Sequence, residues 1–130
     1  MVGIVLISHS TSLAEGAAEL VGQIAGSARV VPAGGTDDGR LGTSTERIAS
    51  AIAAADTGDG VLLLPDMGSS VLSALSLLAD LDPQQDGKQI RLADTPFVEG
   101  AVAAAVAASA GLDLATVARA AEEARDVRKF

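Results

Sequence analysis

The sequence predicts an α/β protein, a three-layer α/β/α arrangement around a mostly parallel four-stranded sheet. Three observations carry this. Four short apolar runs alternate with longer segments of helical spacing. The first and third runs lack the alternating polarity of half-exposed strands, as strands covered on both faces do. The segments between runs are long enough for the crossover helices that parallel pairing requires.

The elements follow in order. Gly3 to Ile7 is the first strand. Leu13, Ala17, Leu20, Val21 and Ile24 then fall on one helical face. Ala28 to Val31 is the second strand, and Ile48, Ala51, Ile52 and Ala55 mark the second helix. Gly60 to Leu64 is the third strand, and Val71, Leu75, Leu78 and Ala79 line the third helix. Lys88 to Leu92 is the fourth strand. Val98, Val102, Ala105 and Val106 mark a fourth helix, and Leu114 to Val127 a more polar fifth.

Capping chemistry sets the predicted helix starts. Ser12 to Glu15 and Thr43 to Glu46 both fit the capping box, in which a hydroxyl takes a free N–H and a glutamate reaches back. Thr95-Pro96 puts a threonine at the cap and proline at the first helical position. Gly111 is a stop for the fourth helix, and Asp113 a start for the fifth.

Composition bounds the function. Residues 1–130 are expected to form a single domain with a real core. The chain is 48% hydrophobic and 20% charged, which argues against disorder. With no cysteine and one histidine, only carboxylates remain as metal ligands, so no metal is expected. A net charge of −8 repels phosphate backbones and argues against nucleic acid as a partner. The longest apolar run, Ala101 to Ala108, is too short for a bilayer, and no charged leader precedes the first run. A cytoplasmic chain with no membrane partner is expected.

In an open parallel sheet, ligands gather at the carboxyl ends of the strands. That rule selects Ser8-His9-Ser10-Thr11, Pro32 to Gly39, Pro65 to Ser70 and Ala93 to Pro96. A neutral imidazole whose one N–H is held by a carboxylate has a fixed tautomer and a free lone pair for attack. Asp66 ends the third strand and could hold His9 in this way. An anion on His9 would sit near the first helix start, where free N–H groups favour it. Ser10, Thr11, Ser69 and Ser70 could add hydroxyl donors. Other readings stand beside these: His9 as a structural side chain, Asp66 as a helix cap, Met67 as core filler. The glycine-rich segment Gly34 to Gly42 is either a flexible turn or a docking or gating loop over His9. It is no Walker loop, since no Gly-Lys-Ser/Thr ends it and Asp37-Asp38 would repel phosphate. Gly-x-Ser-x-Gly is absent, which argues against a serine hydrolase.

At these residues the chain resembles a known family. The matching pieces are Val5-Leu-Ile-Ser-His9-Ser, Gly34 to Ser44, Gly60-Val-Leu-Leu-Leu-Pro-Asp66-Met-Gly-Ser69 and Asp94 to Ala101. The family is the DhaM phosphocarrier subunits of phosphoenolpyruvate-dependent dihydroxyacetone kinase, related to the IIA domain of mannose-type sugar phosphotransferase systems. The resemblance implies a sheet of order 2-1-3-4 and a homodimer. It implies that His9 takes phosphate from HPr and passes it to ADP on the DhaL subunit, with dihydroxyacetone phosphorylated on DhaK. It also implies that Asp66 orients His9 and that Nε2 carries the phosphate. Family members often have an asparagine and a glutamate in the helix after the Asp-Leu-Gly-Ser segment, whereas Val71 to Leu75 is mostly apolar here. Some relatives carry HPr-like and enzyme I-like domains downstream, whereas this sequence stops at Phe130, so a separate carrier is expected.

The expectations are these. His9 is the nucleophile and Asp66 its orienting partner. Ser10, Thr11 and Ser69 meet the phosphate. Gly35, Thr36, Asp38 and Arg40 belong to a docking or gating loop. The chain itself binds no metal or nucleotide. The rival readings are a IIA component of a sugar transporter, a receiver-like module phosphorylated on Asp66, and a non-catalytic regulatory dimer.

Overall fold

A computed structural model describes residues 1–81 and 89–130. The first strand, β1 (Gly3–Ser8), is buried along its whole length and lies inside the sheet. It pairs in parallel with β2 (Arg29–Gly34) on one side and β3 (Val61–Pro65) on the other. The fourth strand, β4 (Ile90–Leu92), pairs in parallel with β3. The order is therefore β2-β1-β3-β4, and every described pair is parallel. Lys88, the first residue of the predicted fourth strand, lies outside the described residues.

Alternate residues of β1 feed two cores. Ile4 and Leu6 face one layer with Leu62 and Leu64 of β3, packed on Ala17 and Val21 of α1 (Thr11–Ile24). That layer also holds α4 (Phe97–Ser109) and α5 (Leu114–Glu123), followed by a 3-10 turn at Ala124–Asp126. Val5 and Ile7 face the other layer with Val61 and Leu63. There they meet Ile48, Ile52 and Ala55 of α2 (Thr45–Ala55) and Ala74 of α3 (Gly68–Asp80). Burying a leucine or isoleucine of this kind stabilises by roughly 1.5–3 kcal/mol, so these two alternating rows fix the sheet register.

Several boundaries differ from the sequence expectation, each for a physical reason. β2 runs on through Pro32 to Gly34 because it is an outer strand, where proline's missing N–H costs no ladder bond on the open side. Gly60 stands outside β3 with a φ of 98°, a left-handed turn before the strand. Ser10, not Ser12, caps α1, accepting from the Leu13 N–H at 3.2 Å. Ser44, not Thr43, caps α2, accepting from Arg47 N–H at 3.3 Å. Pro96 takes the cap position of α4, while the Thr95 hydroxyl donates to the Ala121 carbonyl. Asp113 caps α5 as expected, with Thr116 N–H at 2.9 Å.

The buried helix faces also differ in detail. In α1 the buried residues are Ala14, Ala17 and Val21, whereas Leu13, Leu20 and Ile24 are exposed. In α3 Ser70 and Ala74 are buried, and Leu75 is exposed. In α4 the valines Val98 and Val106 are exposed, and Gly100, Ala101, Ala104, Ala105, Ala107 and Ala108 are buried. Small residues let α4 pack closely within the chain's own core. A Cβ on Gly100 would run into the Thr95 side chain. Among the described residues no helix is long and apolar enough to cross a membrane.

Candidate active site

The parallel register brings the ends of β1 and β3 together, because Ile7 pairs with Pro65. The next residues on each chain segment, Ser8-His9 and Asp66, therefore leave the sheet side by side. The Asp66 N–H donates to the Ile7 carbonyl at 2.9 Å, which extends the pairing into the site.

His9 and Asp66 meet through the ring. His9 Nδ1 lies 3.0 Å from Asp66 Oδ1. The same carboxylate accepts from the His9 main-chain N–H at 3.1 Å and the Ser8 hydroxyl at 2.9 Å, both on Oδ2. The Met67 N–H donates to Oδ1 at 2.7 Å. Asp66 is thus an acceptor on four sides, with its side chain only 9% exposed against 20% for His9. Burial works against its charged form. The Ser70 hydroxyl, the His9 N–H, the Ser8 hydroxyl and the Met67 N–H outweigh it, holding the carboxyl below the ordinary value of 3.8. A carboxylate that stays charged makes Nδ1 of a neutral ring the protonated nitrogen, leaving the Nε2 lone pair outward. Nε2 is hydrogen-bonded to the Ser69 hydroxyl.

Two helices begin at this point. α1 starts at Thr11, two residues after His9, and α3 starts at Gly68, two residues after Asp66. Helix starts carry unpaired N–H groups and the positive end of the dipole, which favours an anion by ~0.3–1 kcal/mol each. In α3 the first turn is locked by Ser70, whose hydroxyl accepts from the Met67 N–H at 3.2 Å and lies 2.7 Å from the Met67 carbonyl.

The structure thus brings together His9, Asp66 and Ser69. The hydroxyls of Ser10 and Thr11 have other partners. Ser10 caps α1, and its N–H donates to Ser8 Oγ at 3.0 Å. Thr11 donates to the Gly34 carbonyl at 3.0 Å. The glycine-rich loop is tied to the site through main-chain atoms. Gly35 N–H donates to the Ser8 carbonyl at 3.1 Å, and Gly42 N–H to the His9 carbonyl at 2.9 Å. Gly35 has φ 72°, and a Cβ there would strike the Thr11 hydroxyl. Within the loop Thr36 N–H donates to the Arg40 carbonyl at 3.0 Å, and the Thr36 hydroxyl donates to Asp38. Asp38 also pairs with Arg40 Nε at 2.7 Å, and Asp37 with Arg47 Nε at 3.0 Å. The fourth predicted segment lies beside the site: Ala93, Asp94 and Thr95 line a common hollow with Pro65, Asp66 and Val71, while Asp94 pairs with Arg125 at 3.1 Å and Thr95 holds α5.

Three residues lie in segments the sequence selected, but their supporting roles escaped the sequence reading of the site. Ser8 is fully buried and joins Asp66 to the Ser10 N–H. Ser70, considered only as a phosphate donor, is fully buried and orders the turn after Asp66. Gly42 holds the His9 carbonyl. For Ser8 a signal existed: a polar residue closing a fully apolar strand needs a buried partner.

A fold with one oriented imidazole at the carboxyl edge of a parallel sheet finds its match in known proteins. Residues 3–118 match the family EIIA-man, described as the PTS system fructose IIA component. The chain belongs to this family of phosphotransferase-system IIA components, and within it groups with the DhaM subunits. It is 40% identical over 107 residues to the phosphoryl donor subunit DhaM of PEP-dependent dihydroxyacetone kinase 2 from Listeria innocua, covering 82% of this chain and 85% of that one. It is 40% identical over 118 residues to the corresponding DhaM of Escherichia coli, covering 88% of this chain and 25% of that one. The DhaM of Pantoea ananatis is 41% identical over 121 residues, 90% of this chain. The chain spans about a quarter of the length of these last two relatives (25% of each). The crystal structure of EF1359, a protein described as of unknown function, superposes with a TM-score of 0.80 at 34% identity, over 93% of this chain and 92% of that one.

Proposed function

We propose that this chain is a phosphohistidine relay that takes a phosphoryl group on His9 Nε2 and hands it on for the phosphorylation of dihydroxyacetone. The observation that carries the reading is the Nδ1–Asp66 contact of 3.0 Å, which turns the other ring nitrogen outward.

The step balances without a metal. The Nε2 lone pair attacks the phosphorus of a donor phosphohistidine in line. An N–P bond forms on His9 as the N–P bond of the donor breaks, and the donor keeps the electron pair. The ring becomes a cation whose Nδ1 proton stays shared with the Asp66 carboxylate, which stabilises it. Ser69, bonded to Nε2 at rest, must release it on attack, and its hydroxyl is then free to donate to a phosphoryl oxygen. The starts of α1 and α3 complement the phosphoryl charge. The reverse geometry serves the second transfer.

In this reading the donor is HPr, and the acceptor is ADP held on a DhaL-type subunit, with DhaK as the site of ketone phosphorylation. The chain itself binds neither metal nor nucleotide, works in the cytoplasm and pairs as a homodimer. The relatives' names support the kinase system. The test is a transfer assay from the phosphorylated chain. Formation of ATP with DhaL and ADP supports the reading. Transfer only to the IIB component of a sugar transporter assigns the chain to transport, and no transfer to either contradicts a relay.

A further inference from the structure

A hydroxyl has a single proton, and what the oxygen accepts decides where that proton points. Ser8 closes β1 and is fully buried. Its Oγ accepts at 3.0 Å from the N–H of Ser10, the cap of α1. Its proton is therefore directed at its other partner, Asp66 Oδ2, 2.9 Å away. The Ser8 carbonyl is held as well, by the Gly35 N–H at 3.1 Å. A continuous chain of contacts results. It runs from the Ser10 N–H through the Ser8 hydroxyl and the Asp66 carboxylate to His9 Nδ1.

Each donor on a carboxylate draws charge from it, and charge drawn towards Ser8 is withheld from the ring proton. Bonds in such a chain polarise one another, and burial keeps water from screening them. The Ser8 hydroxyl is one of the groups that hold the Asp66 carboxyl below its ordinary value. Its effect depends on the charge of the ring. At rest Asp66 faces a neutral imidazole, and in the relay reading it faces a cation once Nε2 carries phosphate. A carboxylate that grips the Nδ1 proton harder stabilises the cation more than the neutral ring. It would thereby oppose release, in which the Nε2–P bond breaks, its electron pair returns to the ring and Nδ1 keeps its proton.

We propose that Ser8 is a positioning residue that acts through Asp66 to keep the phosphoryl group of His9 easy to release. This inference rests on the relay reading and adds to it the group that sets how firmly His9 holds phosphate.

The test is the transfer equilibrium between phosphorylated HPr and wild type, Ser8→Ala or Ser8→Cys, read by mass, with the NMR resonance of the Nδ1 proton beside it. Alanine removes the hydroxyl. Cysteine keeps a side chain of similar size with a far weaker donor, and reads the same effect should the alanine variant not fold. The expected result is an equilibrium shifted towards the phosphorylated chain, roughly threefold to tenfold for Ser8→Ala and less for Ser8→Cys. The Nδ1 proton moves downfield as its bond to Asp66 strengthens. A merely structural serine gives the opposite sign, because a loosened carboxylate holds the cation less well and phosphate stays on HPr. That opposite shift, or a wild-type equilibrium in a folded variant, overturns the inference and leaves the relay standing. A wild type that takes no phosphate from HPr overturns the relay itself and this inference with it.

Discussion

The Asp66 carboxylate grips His9 twice, through the ring at Nδ1 (3.0 Å) and through the main-chain N–H (3.1 Å). One side chain thereby fixes both the direction of the imidazole and the end of the strand that presents it. Orientation and backbone position cannot be lost separately.

Asp66→Asn tests this directly. An amide must turn its NH2 group towards donors on one side, so it cannot replace the carboxylate at the Nδ1 proton, His9 N–H, Ser8 and Met67 together. The rate of phosphoryl uptake on His9 is expected to fall by roughly 10²-fold or more. Stability is expected to fall by about 1–3 kcal/mol, from buried donors left unpaired. Rapid-quench labelling and urea unfolding measure the two effects.

The same carboxylate gives a pH dependence of defined sign. Its folded-state pKa lies below the ordinary 3.8, so the unfolded chain binds the proton more readily. The stability due to Asp66 is therefore complete above that value and is lost as pH falls below it. The stability gap between wild type and Asp66→Asn is expected to narrow as pH falls below 3.8. A gap that widens as pH falls below 3.8 contradicts the assignment.

Two serines near the first helix separate a cap from a bystander. Ser10→Ala removes the cap that holds Leu13 N–H and is expected to cost ~0.5–2 kcal/mol. Ser12→Ala removes an exposed hydroxyl and is expected to stay within about 0.5 kcal/mol of wild type. Thermal melts of the two variants compare them side by side.

Two glycines give opposite signs. A Cβ on Gly34 would meet the Ser10 carbonyl oxygen at 2.5 Å and Ala14 Cβ at 2.8 Å, pushing α1 away from β2. Gly34→Ala is expected to destabilise by about 1–3 kcal/mol and to slow labelling of His9. Gly16, within α1, has nothing within 4 Å of such a Cβ. Gly16→Ala is expected to stabilise by roughly 0.5–1 kcal/mol. Urea midpoints at matched pH check both.

The fold was legible because the strands state their own burial. Leu62, Leu63 and Leu64 in succession cannot sit on a half-exposed sheet, and the helical spacing between runs leaves parallel pairing as the solution. Helix caps were less legible. Ser12 with Glu15 and Thr43 with Glu46 both satisfy the local box pattern, but the chain enters each helix where β1 and the glycine-rich loop deliver it, at Ser10 and Ser44. The valines of α4 misled because branched apolar residues signal a core face, whereas close packing here selects the alanines and Gly100. In the site, a lone histidine and an aspartate at two strand ends were visible as candidates. Their contact is a consequence of the β1–β3 register, and Ser8 and Ser70 act as buried supports that only three-dimensional packing assigns.

The central claim is that His9 carries a phosphoryl group, and mass measurement after incubation with phosphoenolpyruvate, enzyme I and HPr tests it most directly. The account predicts one added phosphoryl group on the wild type, stable in alkali and lost in acid, and none on His9→Ala. Undiminished phosphate on His9→Ala, or a phosphate lost in alkali as an Asp66 acyl phosphate would be, would contradict it.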